Sequence, residues 1–267
     1  MEIEIKYKLS AGKNADEKYS FRNKYKSKIK GLDKAVDITT KKLNSLEKDI
    51  KETKQNIHIK KKEIKLNKKW YSKFRWFFTS NGFLVIGGRD SKNNEVLVKK
   101  HMEEKDLYYH ADVHGAPHVV LKNPIGKEVP LEDKQEAAQF AAIYSSAWKN
   151  KIFSIDVYSV TPEQVSKTAN AGESLGTGAF VIRGKREYFR KQEPKIALSY
   201  CKVKGVIAGP ESAIKTQVKD YFIITPGDTK KSDISKELKL RIMKWKISVS
   251  VEDLESALPP GNSKIDN

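Results

Sequence analysis

The chain has one cysteine, Cys201, in 267 residues. That excludes an intramolecular disulfide framework and any multi-cysteine zinc site, and it fits a reducing, cytoplasmic setting. Apolar runs are short. None approaches the length of a membrane span, and no secretory signal pattern opens the sequence. Proline is absent from about Asn14 to Lys69, a stretch that holds a single glycine, Gly31. Acidic residues are outnumbered: 34 Asp and Glu stand against 52 Lys and Arg, a net charge of +18. Such an excess repels itself unless it meets something anionic, which makes nucleic acid or an acidic membrane surface the default partner; of the two, nucleic acid is expected and a membrane is not. The length suffices for a sizeable core in one large domain or two smaller ones.

Residues 2–9 alternate Glu-Ile-Glu-Ile-Lys-Tyr-Lys-Leu, the period-2 pattern of a strand with one apolar face. No partner strand follows nearby. The expectation is therefore that the natural protein begins further upstream, with residues 1–13 the strand and linker left from a truncated middle region.

The proline-free stretch carries apolar residues in heptad phase: Ile29, Leu32, Val36, Leu43, Leu46, Ile50, Ile57 and Ile64, with Thr39, Thr53 and Lys60 between them. This predicts one long basic helix over 14–69 with a narrow coiled-coil seam. Its 18 Lys/Arg against 8 Asp/Glu give it +10 of the total charge. A lone helix cannot bury such a seam, so pairing with another helix or a second copy is expected. The charge reads equally as a solvated face or as an RNA-binding face.

From Trp70 the pattern changes to short apolar runs broken by Gly, Asn and Asp. It predicts strands near 82–87, 95–100, 106–111, 117–122, 152–160, 179–183, 196–203, 205–208 and 221–225, with Ser91-Lys92-Asn93-Asn94 as a hairpin turn. Helices are predicted over 132–149, 211–216, 231–245 and 251–257, and a helical turn at Thr161–Gln164. The fold class is α+β: a long amino-terminal helix, then a domain over 70–261 of mainly antiparallel sheet with packed helices, and a short tail at 262–267.

Three blocks bear chemistry. Trp70-Tyr71-Ser72-Lys73-Phe74-Arg75-Trp76 interleaves aromatics with bases, a combination suited to holding a phosphate backbone beside a stacking platform. Gly87-Gly88-Arg89-Asp90 combines close backbone approach with a planar guanidinium fork, or else is a tight turn with a surface Arg–Asp pair. His110-Ala111-Asp112-Val113-His114-Gly115 places His110, Asp112 and His114 on one face of a predicted strand. That arrangement, with His118 a little beyond, is the best metal candidate in the chain, but it lacks an established ligand spacing, which favours hydrogen bonds to the adjacent loop backbone or a phosphate. A further run, Gln164 to Lys185, supplies Gln164, Lys167, Arg183 and Lys185, with Arg186 just beyond, and is expected to fold against the first block.

Two look-alikes fail. Gly172-Glu173-Ser174-Leu175-Gly176 spells a nucleophile elbow, but a polar loop precedes it and a strand follows, where the elbow needs strand before and helix after. Gly178–Lys185 mimics a phosphate loop, but its glycine spacing is one residue too long and Arg186 stands where Ser or Thr should bind magnesium.

Taken together, Lys69-Trp70-Tyr71-x-Lys73-Phe74-Arg75-Trp76-Phe77, Gly87-Gly88-Arg89-Asp90-x-x-x-Asn94-Glu95, His110-Ala111-Asp112-x-His114-Gly115-Ala116, Gln164-Val165-Ser166-Lys167 and Gly176-Thr177-Gly178-x-Phe180-x-Ile182-Arg183-Gly184-Lys185 resemble the carboxy-terminal RNA-binding domain of the NFACT family. Asn14-Ala15 and the basic helix resemble the returning arm of that family's coiled coil. The stretch from Ala197 through Pro259-Pro260-Gly261 resembles the tail of its archaeal-type members. The resemblance implies a module of a ribosome-associated quality-control factor, which binds obstructed large ribosomal subunits and tRNA and supports template-free tailing of stalled peptides. It implies no catalytic residue, no metal and no cofactor. The nucleic-acid-binding residues expected from it are Trp70, Tyr71, Arg75, Trp76, Arg89, Asp90, His110, Asp112, His114, Gln164, Lys167, Arg183, Lys185 and Arg186. Rival readings are a metal-dependent hydrolase built on His110, Asp112 and His114, and a surface adhesin, since some relatives carry the name fibronectin-binding protein.

Overall fold

The computed structural model of the chain describes residues 4–63, 69–169 and 174–266. It divides into two compact units, 1–67 and 68–267.

In the first unit a single uninterrupted helix, α1, runs Ala11–Glu63. Neither Gly31 nor the 37–40 region reverses it, consistent with a proline-free segment whose long side chains favour helix. The seam residues Ile29, Leu32, Val36, Leu43 and Leu46 are each more than half exposed. Ile64 lies outside the described residues. The strand expected over 2–9 is corrected for its described part: residues 4–9 form no strand but bend through a turn. The cause is Asn14, whose side chain accepts from the backbone N–H of Lys6 (2.8 Å) and donates to the Lys6 carbonyl (3.0 Å). One side chain thus takes the place of a partner strand and folds the lead-in back on the helix start.

The second unit opens with a 3-10 turn, Trp70–Lys73, and is built on two antiparallel sheets. The first has six strands: β1 (Arg75–Phe78), β2 (Leu84–Gly87), β3 (Leu107–Ala111), β4 (Val119–Leu121), β5 (Ile155–Val160) and β8 (Glu187–Gln192), in the order β1-β2-β4-β3-β5-β8. Between β5 and β8 the chain makes a two-stranded hairpin, β6 (Val165–Ser166) with β7 (Val181–Ile182). The second sheet contains β9 (Ile196–Cys201), β10 (Gly205–Gly209), β11 (Phe222–Thr229) and β12 (Ser263–Asp266), ordered β10-β9-β11-β12. Helices α2 (Ser91–Val96), α3 (Leu131–Ile143), α4 (Ser146–Lys149), α5 (Glu211–Lys215), α6 (Lys231–Met243) and α7 (Val251–Ala257) complete the unit.

Alternation decides what each sheet face buries. Tyr109, Ala111, Val119, Leu121 and Val157 join Phe140 and the alanines of α3 in the main core, which continues through Ile196, Leu198 and Ile224 into α6 and α7. The opposite face presents Tyr108, Tyr158 and Val160, and there Val98, Phe180, Val165 and Ile182 close a separate, smaller core. The β6–β7 hairpin is therefore a lid of the sheet's second face.

Several sequence expectations need correction. Residues 91–94 are not a hairpin turn and 95–100 are not a strand: Ser91–Val96 is helical and continues as a π-helical turn, Leu97–His101. The Asp90 carboxylate caps this helix by accepting from Asn93 N at 2.8 Å. Leu97 enters a core with Phe74 and Ile86, while Val98 enters the core with Tyr108. Apolar residues are needed on two sides, which in sequence imitates a strand. The 132–149 helix breaks after Ile143, where Ser145 starts α4 by accepting from Ala147 N. The 179–183 strand shrinks to Val181–Ile182. Strands β1, β6, β8 and β12 are additions to the sequence expectation.

Candidate nucleic-acid interface

The local chemistry of the β6–β7 hairpin starts at Thr161-Pro162-Glu163-Gln164. Proline at the first helical position and a capping box produce a 3-10 turn in which Gln164 Oε1 accepts from Thr161 N at 3.1 Å. The amide nitrogen of the same side chain donates to the carbonyls of Arg183 (2.8 Å) and Lys185 (2.9 Å). Gly184 sits between them at φ +81°, and a Cβ there would stand 2.7 Å from Gln164 Nε2. Gln164 is thus the clamp that fixes the backbone of 183–185. Arg183 and Lys185 lie on the clamped segment, Arg183 donating to the Thr168 carbonyl at 3.3 Å. The Arg186 guanidinium lies 4.4 Å over the Tyr158 ring. Among the described residues, none of these three bases is ion-paired to a carboxylate.

The 89–95 and 164–185 blocks meet through Glu95, a motif residue outside the expected binding set. Glu95 accepts from Gly178 N at 2.9 Å and pairs with Lys99 at 2.6 Å. Those two donors, Lys99 first, hold its carboxyl at about 2. Lys167 approaches the same carboxylate at 3.6 Å, donates to the Gly176 and Ala179 carbonyls (2.9 and 3.0 Å) and covers the Phe180 ring. Gly178, at φ +79°, packs against the Ser91 carbonyl, where a Cβ would come within 2.5 Å. Lys167 and Gly178 therefore anchor the loop, and the bases with free reach are those on 183–186. Gly172 and Glu173 of the elbow-like motif lie outside the described residues.

The His/Asp cluster does not share a strand face. β3 ends at Ala111, Asp112 and His114 lie in the exposed turn beyond it, and Gly115 turns the chain at φ +81°. His110 instead faces inward, its ring 5.1 Å from His118 and 5.9 Å from Tyr158. Burial pushes His110 down to about 4 and His118 to about 3. His118 Nδ1 and the Tyr108 hydroxyl share a 2.5 Å hydrogen bond. Among the described residues no three His, Cys, Asp or Glu side chains converge to hold a metal ion. The constellation on which the hydrolase reading rests is not assembled.

The aromatic block is divided by depth. Trp70 is 46% exposed and stacks on His101 with centroids 4.5 Å apart and planes 20° from parallel. Tyr71 is buried against Trp76 and Phe78, and Trp76 is half-buried. Of the aromatic rings in this block, Trp70 is the exposed one, with His101 stacked on it.

Arg75 and Arg89 point elsewhere. Arg75 donates to the Gly88 carbonyl at 3.0 Å and lies 4.5 Å over Tyr144. Arg89 donates to the carbonyls of Phe74 and Ser256, both at 3.2 Å. Gly87 and Gly88 serve packing: a Cβ on Gly88 would fall 1.9 Å from Asn94 Oδ1, which itself accepts from His118 N. Residues absent from the expected binding set are Glu95 and Phe180, which the motifs contain, and His101 and Tyr158, along with Tyr144 and Lys231 beside the two arginines. Only the i,i+4 pairing of Glu95 with Lys99 was visible in sequence.

The second unit is thus an α+β fold with one sheet face lidded by a hairpin, whose arginine and lysine form no ion pair among the described residues. Residues 73–184 match the family model described as the NFACT protein RNA binding domain. Over that span the chain belongs to the NFACT RNA-binding domain family. It is 40% identical over 209 residues to the archaeal Rqc2 homolog aRqcH of Methanocaldococcus jannaschii, covering 77% of this chain and 30% of that protein. It is 41% identical over 187 residues to the ribosome quality control complex subunit NEMF homolog of Drosophila melanogaster, covering 70% and 18%. Against ribosome quality control complex subunit 2 of Schizosaccharomyces pombe the identity is 33% over 190 residues, covering 70% and 18%. The chain thus spans less than a third of the length of these relatives. A solved structure, the C-terminal part of the fibronectin/fibrinogen-binding protein of Streptococcus suis, is 21% identical over 45% of each chain with a TM-score of 0.39. No described helix is long and apolar enough to cross a membrane.

Proposed function

We propose that this chain is the RNA-gripping part of a ribosome quality-control factor. It binds an obstructed large ribosomal subunit and tRNA, and supports template-free tailing of the stalled peptide as part of a longer protein. The observation that carries this reading is the Gln164 clamp, which holds Arg183, Lys185 and Arg186 along one lidded sheet face, with no carboxylate paired to them among the described residues. Arginine forks and a lysine point charge on a fixed backbone suit a phosphate chain. Trp70, half-open and stacked on His101, provides a surface for an unstacked base. The family description and the names of the relatives support the same reading. It is a binding role without chemistry of its own.

The test is recovery of large-subunit particles and sequencing of the tRNA that accompanies them. The intact chain should enrich both, and Arg183→Ala with Lys185→Ala should lose most of that enrichment with an unchanged melting temperature. Equal recovery by the double variant would overturn the assignment.

A further inference from the structure

On the α3 side of the sheet, away from the lidded face, three cations gather near the carboxy-terminal end of α7. Arg89 donates to the Ser256 carbonyl at 3.2 Å, the Tyr144 hydroxyl to Ala257 at 2.6 Å and Lys231 to Leu258 at 2.9 Å. Arg75 lies over Tyr144 and is close enough to Arg89 and Lys231 for their charges to act on one another. Asp90 and Glu255 are near in the same electrostatic sense, yet among the described residues neither forms an ion pair with any of the three. Arg75 Nε is buried and has no hydrogen-bond partner among the described residues. A buried N–H on a guanidinium is costly to leave unpaired, and a helix carboxy-terminus alone offsets only about half a unit charge.

We propose that Arg75, Arg89 and Lys231, with Tyr144 as their floor, form a site for a compact phosphate dianion. Three cations match the three terminal oxygens of a phosphate monoester better than the two free oxygens of a diester. The sources with this chemistry are the terminal phosphate of an RNA strand and inorganic phosphate. Burial and the charges of Arg75 and Arg89 hold Lys231 down at about 8, a repulsion that an anion seated among them relieves. Lys231 and the α7 carbonyls lie outside the matched 73–184 span, so the site joins that span to the segment after it. The terminal-RNA source rests on the RNA-binding reading; the inorganic source does not.

The experiment uses the full chain and three probes: inorganic phosphate at constant ionic strength, an RNA oligonucleotide with terminal phosphates, and the same RNA dephosphorylated. The Arg75 Nε–H resonance should shift with phosphate or with the phosphorylated RNA, and the phosphorylated RNA should bind roughly tenfold tighter, as one charge-assisted hydrogen bond gives. Lys231→Met should erase that preference and leave affinity for the dephosphorylated RNA intact. A resonance shift with inorganic phosphate and equal affinity for both RNAs assigns the site to the free anion. An Arg75 resonance indifferent to both overturns the proposal, and it is read in the unmodified chain, so it holds even if Lys231→Met unfolds. Loss of dephosphorylated-RNA binding in Arg183→Ala/Lys185→Ala concerns the hairpin alone and leaves this site untouched.

Discussion

The backbone N–H of Gly178 donates to the Glu95 carboxylate at 2.9 Å, tying the glycine-rich loop to the helix that Asp90 caps. This bond joins two residues 83 positions apart in the chain. Glu95→Gln keeps the shape but removes the charge that draws Lys99 and Lys167. The expected result is severalfold faster hydrogen exchange at the Gly178 amide and weaker RNA binding. The carboxyl sits at about 2 against an ordinary 4.5, so its contribution is present above 4.5 and is lost as pH falls from there through 2. An unchanged Gly178 exchange rate would remove Glu95 from the interface.

Half-buried His110 and buried His118 set a second pH dependence. His110 at about 4 and His118 at about 3 bind fewer protons folded than unfolded, where both titrate near 6.5. Stability therefore rises with pH up to about 6.5 and declines as pH falls below it. Imidazole resonances of both residues should remain those of the neutral ring from pH 7 down to about 5. Titration of either with a midpoint near 6.5 would contradict the burial on which this rests.

How much of this was legible in the sequence differs by element. The long helix was readable because no proline interrupts it and its apolar residues keep one phase. β2, β3 and β4 were readable as apolar runs bounded by glycine, aspartate and asparagine. β8 was not, because it is an edge strand whose single buried residue is Phe189. The 91–101 helix was hidden because Leu97 and Val98 serve different cores. At the candidate site the residue types were visible, but their division of labour was not. Gln164 as clamp, Asp90 as cap and Lys167 as loop anchor depend on where the folded backbone places their partners. Arg89 was read as a free fork or as half of a surface pair with Asp90, whereas its guanidinium holds the Phe74 and Ser256 carbonyls.

Gly88→Ala tests whether the glycine pair is there for packing. The added Cβ would meet Asn94 Oδ1 at 1.9 Å and the Asn94 backbone nitrogen at 3.0 Å. Moving the Asn94 side chain away strands the His118 N–H from which it accepts. Together these should cost about 1–3 kcal/mol, seen as a lower melting temperature. A variant as stable as the parent would show that the turn relaxes freely, and would return the glycines to a ligand-approach role.

The last prediction separates the helical arm from the globular unit as the source of RNA affinity. The arm holds over half of the net charge, +10 of +18 by the count over 14–69. If that charge were the grip, any polyanion would serve and removing the arm would abolish binding. The unit 68–267 is compact and has its own core, so it should fold without residues 1–67. It should keep its preference for structured RNA over an unstructured polyanion, with lower affinity at low salt. Each cation removed from a phosphate flattens the log-affinity against log-salt slope by roughly 0.7 to 0.9. Arg183→Ala with Lys185→Ala in the truncated unit should therefore reduce the slope by about 1.4 to 1.8. A truncated unit that keeps its circular dichroism spectrum but binds no RNA would place the grip on the arm and leave the hairpin bases as solvated surface.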